Sequence, residues 1–121
     1  MFRILNKKYM SNVFEAFELS YGINPLKETE KRRGYSLNPF EFLIFYFTLY
    51  KVFSPEISLC FDVFRIGYEI QPRSKFERYL ALPNKLFKNN QNPAILERLE
   101  RVKLIMEDAY ARGLEAKVRE N

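Results

Sequence analysis

The chain has 121 residues, with Lys plus Arg 20 against Asp plus Glu 15, no His, no Trp and one Cys. Without histidine there is no His general base, no Ser-His or Cys-His couple and no His metal ligand, and the lone Cys60 excludes CxxC redox motifs, Cys-type zinc sites and an internal disulfide. Gly22, Gly34, Gly67 and Gly113 stand too far apart for a GxGxxG or phosphate-binding loop, so neither an enzyme nor a cofactor or metal is expected.

The length predicts a single domain over residues 1–121, with an N-terminal helical part in residues 1–35 and a core in residues 36–121. Charge interrupts the first eight residues before any signal-peptide core forms. The longest uncharged apolar run, residues 42–50, is nine residues against the roughly 20 that span a bilayer. The expectation is a soluble intracellular protein of the cytoplasm or nucleus, without membrane contact.

Helix starts are marked four times by Asn or Ser before Pro: Asn24-Pro25, Asn38-Pro39, Ser54-Pro55 and Asn92-Pro93. The first residue accepts bonds from free helix N–H groups, and proline at the next position needs no donor. A first helix is predicted from Ser11 as cap to Tyr21, with Val13, Phe14 and Phe17 on one face and Gly22 ending it. Residues 25–33 read as two solvated turns closed by Gly34. At Asn38, Glu41 completes a capping box for the most hydrophobic helix, residues 40–53. Its polar members Glu41, Thr48 and Lys51 fall in one narrow stripe, so nearly every other direction asks for cover. A partner interface, with a protein partner or in a homo-oligomer, is expected through Phe42, Phe45, Phe47 and Leu49.

A further helix over residues 55–66 is predicted to end at Gly67. Tyr68 and Ile70 then alternate with Glu69 and Gln71, and Pro72-Arg73-Ser74 looks like a turn, which predicts a β-hairpin across residues 68–82 stopped by Pro83; residues 76–80 also fit a helix. Residues 84–91 read as a polar connector. From Pro93 to Arg112, Ile95, Leu99, Val102, Met106 and Ala109 repeat at helical spacing, with Gly113 as the terminator. Beyond it Leu114, Ala116 and Val118 alternate with charged residues, which fits a short closing strand or a continued charged helix. The fold class expected is α+β, mostly helical with a small hairpin; all-α is the alternative.

The positive charge is uneven. Residues 65–90 hold 6 basic and 2 acidic side chains, whereas residues 91–121 balance at 6 and 6. On a strand pair, Arg65, Arg73, Lys75, Arg78, Lys85 and Lys88 beside Tyr68 and Tyr79 would hold phosphates and stack bases. The competing reading is a solvated basic hairpin whose aromatics face the core. Cys60 among Leu59, Phe61 and Val63 reads as an inert core thiol, and the carboxylates of residues 97–108 as partners in helix-surface ion pairs.

The run from Phe64 to Phe76, with Gly67-Tyr68 and Lys75-Phe76 around the expected turn, resembles the core of the tRNA-splicing endonuclease family. The segment from Ser36 to Leu43 is similar to that family's preceding helix, and residues 102–118 to its last helix and strand. The active subunits of that family use a Tyr, a His and a Lys; this chain has no His, so no catalytic residue carries over. The resemblance implies a non-catalytic structural subunit of an RNA-processing complex that positions RNA, such as tRNA, or a catalytic partner. The alternative from the residues alone is a small protein–protein interaction module, an inhibitor or assembly factor, with no nucleic-acid role.

Overall fold

A computed structural model describes residues 6–48, 55–86 and 92–120. Among them the secondary structure is helical throughout: α1 (Lys7–Tyr21), α2 (Pro25–Arg33), α3 (Pro39–Phe47), α4 (Pro55–Tyr68), α5 (Arg73–Leu86) and α6 (Pro93–Glu120). The chain gathers into two compact units that divide between Ser58 and Leu59.

In the first unit each helix opens on an asparagine. The Asn6 side chain accepts from the Tyr9 N–H, so α1 begins four residues before the expected Ser11 cap. Asn24 accepts from Lys27, and Asn38 accepts from Glu41 at 2.8 Å while the Glu41 carboxylate accepts from Asn38 N–H at 3.2 Å, the capping box read from the sequence. Gly22 and Gly34 end α1 and α2 with φ of 74° and 83°, the left-handed conformation that glycine adopts without penalty. Met10, Val13, Phe14 and Phe17 form the buried face of α1 at i, i+3, i+4 and i+7. Phe42 and Phe45 of α3 complete this core, with the Phe45 ring 5.9 Å from Phe14.

A charged knot fastens these helices. Lys7 Nζ lies 2.9 Å from Glu30 and donates to the Leu37 carbonyl at 2.6 Å, while the Leu37 N–H donates to the same Glu30 carboxylate at 2.8 Å. Because Lys7 and Glu30 are ionised and about three-quarters covered, the bonds they make are stronger than neutral ones. They pin the linker between α2 and α3 to the start of α1.

The second unit is built on a close crossing of α4 and α6. A side-chain carbon at Gly67 would stand 2.3 Å from the Tyr110 carbonyl oxygen, and one at Gly113 would stand 2.2 Å from the Phe64 carbonyl oxygen. Both glycines lie inside their helices, so they let two backbones touch; neither is the terminator expected from the sequence. α4 instead ends at Tyr68 in a Schellman turn, in which Ile70 N–H reaches the Gly67 carbonyl and Gln71 N–H the Ile66 carbonyl, both at 3.0 Å. Ile70 occupies the left-handed position of that turn, at φ 51°.

The hairpin expected over residues 68–82 is not present. Tyr68 belongs to α4, Pro72-Arg73-Ser74 leads into the first turn of α5, and Pro83 lies within that helix. The alternation of residues 68–71 is only four residues long, whereas Phe76, Tyr79 and Leu80 share the helical spacing i, i+3, i+4 and face inward. Phe76 stacks on Tyr110 of α6 at 4.4 Å between centroids and 12° between planes, a contact that fixes α5 as a helix on α6. The closing strand is absent too. α6 continues to Glu120, held by the Tyr68 hydroxyl donating to Glu120, by Lys117 over the Tyr68 ring at 5.1 Å, and by the Glu115–Arg119 pair. The architecture is therefore the all-α alternative.

Candidate interaction surfaces

The residues expected to bind nucleic acid are dispersed by this fold. Arg65 is 11% exposed at its side chain and pairs with Glu69 at 3.1 Å, with Glu69 also accepting from Gln71. Tyr68 is buried against α6 and offers no ring face for a base. Arg73 lies over Phe76 and Tyr110, 5.0 Å and 5.3 Å from the ring centroids, and approaches Glu107 at 3.6 Å. Tyr79 is half-buried, and burial first, then the Asp62 carboxylate, push its hydroxyl above the usual phenol range, with Arg65 opposing. Lys75 and Arg78 are exposed, with no carboxylate or aromatic partner among the described residues. The Lys85 backbone is in α5, and Lys88 lies outside the described residues.

α5 and α6 treat their cations differently. On α6, Glu97–Arg101, Asp108–Arg112 and Glu115–Arg119 are i,i+4 pairs and Glu100–Lys103 an i,i+3 pair. α5 carries Arg73, Lys75 and Arg78 against the single carboxylate Glu77, which lies within 4 Å of none of the three. Of the basic excess noted in residues 65–90, Lys75 and Arg78 therefore emerge on the outer face of α5, with Leu82, 44% exposed, beside them.

The expected partner interface divides in two. Phe42 and Phe45 point into their own unit and are 0% and 5% exposed, so they are core. Phe47 is 66% exposed, and Leu49 lies outside the described residues. Opposite the buried pair, Phe40 and Ile44 join Phe47 at i, i+4 and i+7, 70% and 49% exposed, in an uncharged row about 10 Å long. The sequence showed that α3 is apolar nearly all round. It did not show which side the core takes, because Phe40 and Phe42 are chemically identical.

The first turn of α3 abuts a basic turn. Arg33, last residue of α2, reaches Glu41 at 3.6 Å, and Tyr35 donates to the same carboxylate at 3.2 Å. Lys31 and Arg32 precede Arg33 in that turn and are exposed, with no carboxylate within 4 Å among the described residues. Elsewhere in this unit Glu18 accepts from the Asn24 amide at 3.1 Å and lies 3.3 Å from Lys27; the amide bond above all holds its carboxyl below the ordinary range.

Among the described residues no cluster of three His, Cys, Asp or Glu side chains could hold a metal ion, and no helix is long and apolar enough to cross a membrane. Cys60 is buried. No known protein family, curated protein or solved structure matches this chain.

Proposed function

We propose that the chain is a non-catalytic interaction module that receives an amphipathic helix of a protein partner on the outer face of α3. The observation that carries this reading is the row Phe40, Ile44 and Phe47, three large exposed apolar side chains on one uncharged face. Single exposed apolar residues are ordinary, but a contiguous row is the usual mark of a binding surface. Covering it would contribute about 3–5 kcal/mol from the area still in water. A single row at i, i+4, i+7 is matched by the apolar stripe of another helix, which places its own side chains between the three.

A photo-crosslinking residue at position 47, with a control at Ser74 on α5, tests this in cells that make the protein. A partner captured from position 47 is then purified and its affinity measured by calorimetry. Phe40→Ser with Phe47→Ser should weaken it at least tenfold while leaving the helical circular dichroism unchanged, since neither residue belongs to the core. Crosslinks only to a second copy of this chain, or affinity unmoved by the double variant, would refute the reading.

A non-catalytic RNA-binding subunit is a second reading, favoured by the unneutralised cations of α5. The hairpin behind the endonuclease resemblance is helical, so this reading stands on α5 alone. It expects affinity for RNA that falls steeply with salt and drops with Lys75→Glu plus Arg78→Glu. Undetectable binding at low salt would dismiss it.

A further inference from the structure

Independently of α3, and resting on the nucleic-acid reading of α5, we infer that the polymer α5 takes is duplex DNA, with the first two turns of this helix lying in the major groove. Only four residues, 69–72, join α4 to α5, and the left-handed Ile70 closes the turn. Both helices are anchored on α6, α4 through the Gly67–Gly113 crossing and α5 through the Phe76–Tyr110 stack. Two helices joined by so short a turn, with the second offered outward, are the frame that seats a helix in a DNA groove. Of residues 73–78, which open α5, only Phe76 is buried; the other five are exposed.

The exposed face selects among polyanions. At about 100° per residue, Ser74 and Arg78 stand almost opposite the buried Phe76, and Lys75 lies one turn before Arg78. Arg73 is engaged by the Phe76 and Tyr110 rings and by Glu107, whereas Lys75 and Arg78 have no carboxylate within 4 Å among the described residues. Ser74, Lys75 and Arg78 thus offer a hydroxyl, an ammonium and a guanidinium on one face, the groups that hold phosphates and read base edges. A single strand asks for more, because its bases are held by stacking on exposed aromatic rings. The two aromatic residues of α5 do not supply that: Phe76 is 0% exposed and Tyr79 is half-buried. An RNA duplex has a deep, narrow major groove that side chains do not read. The major groove of B-form DNA, about 12 Å wide, admits one helix of about 10–12 Å with its side chains. The net charge of +5 draws the chain to any polyanion, and the bare face of α5 fits this one.

The test uses the full chain and three fluorescein-labelled probes of one mixed sequence: a DNA duplex of about 20 base pairs, two turns long, the corresponding RNA duplex and the single-stranded RNA. Fluorescence anisotropy at low salt should show the DNA duplex bound roughly tenfold more tightly than either RNA, with affinity falling as salt rises. Lys75→Gln with Arg78→Gln removes two phosphate contacts, so the slope of log K against log salt should flatten by about 1.8 with circular dichroism unchanged. At saturating protein, dimethyl sulfate should find guanine N7 in the major groove protected and adenine N3 in the minor groove still reactive. RNA bound as tightly as the DNA duplex, through the same two cations, overturns the inference and leaves the RNA reading standing. DNA binding unmoved by the double variant, or protection of adenine N3 in place of guanine N7, overturns the placement of α5 in the major groove. No binding to any probe overturns both readings.

Discussion

Replacing Gly113 by alanine tests the construction of the second unit most directly. In an exposed helix interior the change would stabilise by about 1 kcal/mol, because alanine loses less backbone freedom. Here the added carbon would stand 2.2 Å from the Phe64 carbonyl oxygen and 2.8 Å from the Tyr68 nitrogen. Carbon and carbonyl oxygen normally approach to about 3.3–3.6 Å, so α4 and α6 must part by about 1 Å at their crossing. That gap forfeits a quarter to a half of the dispersion well for each atom pair across it. It also pulls on the Phe76–Tyr110 stack, whose Tyr110 lies one turn before the crossing. The obstacle is backbone and has no rotamer to change, which places the overpacking cost at the upper end of the usual range, about 3 kcal/mol. The net expectation is a loss of about 2 kcal/mol, or a melting temperature lowered by about 8 °C. Thermal and urea unfolding followed at 222 nm would measure it. Adding Gly67→Ala should cost less than the sum of the two single changes, since the helices have already parted. A Gly113→Ala protein as stable as the parent would refute the close crossing.

Other expectations follow from individual contacts. Ile70 is a β-branched residue in left-handed backbone and is 61% exposed, so Ile70→Gly relieves strain without removing much packing and should stabilise by about 1 kcal/mol; a lower urea midpoint would contradict this. Asn38→Ala removes one half of the α3 capping box and should cost about 1 kcal/mol in the same assay. Tyr79 holds its proton more tightly folded than unfolded, so its contribution is complete below the ordinary phenol pKa and is lost as pH rises through the raised folded value. Tyr79→Phe should therefore flatten the decline of stability above pH 10, measured as the difference between parent and variant melting temperatures.

The helices that could be read in the sequence were those whose signals are local. Asn24-Pro25 and Asn38-Pro39, with Glu41 three residues on, mark starts because a cap is satisfied within its own first turn. Gly22 and Gly34 mark ends for the same reason. The two other glycines look identical in sequence, yet their role is set by Tyr110 and Phe64 on a helix more than forty residues away. The hairpin error has the same origin. Tyr68-Glu69-Ile70-Gln71 alternates because a helix end, a left-handed turn and a buried tyrosine happen to fall two apart, and only the α6 contacts of Tyr68 and Phe76 show that both flanking segments are helical. Ile70 sharpened the mistake, since a β-branched residue advertises a strand and conceals the turn it occupies.

The candidate surfaces were half legible for a related reason. Sequence records how many cations and apolar residues a segment holds, whereas function depends on how many the fold leaves over. Arg65, Arg73 and Lys7 are as basic as Lys75 and Arg32, but Glu69, Glu107 and Glu30 stand beside the first three. Phe42 and Phe45 are as apolar as Phe40 and Phe47, but the first pair meets Phe14 and its neighbours in the core. Subtracting what the molecule uses for itself leaves Lys75 and Arg78 on α5 and, on the first unit, the uncharged α3 row. A polyanion fits the first remainder, and a helix with an apolar stripe fits the second. Charge reversal on α5 and serine substitution on α3 should therefore separate the two activities, each variant sparing the other's binding.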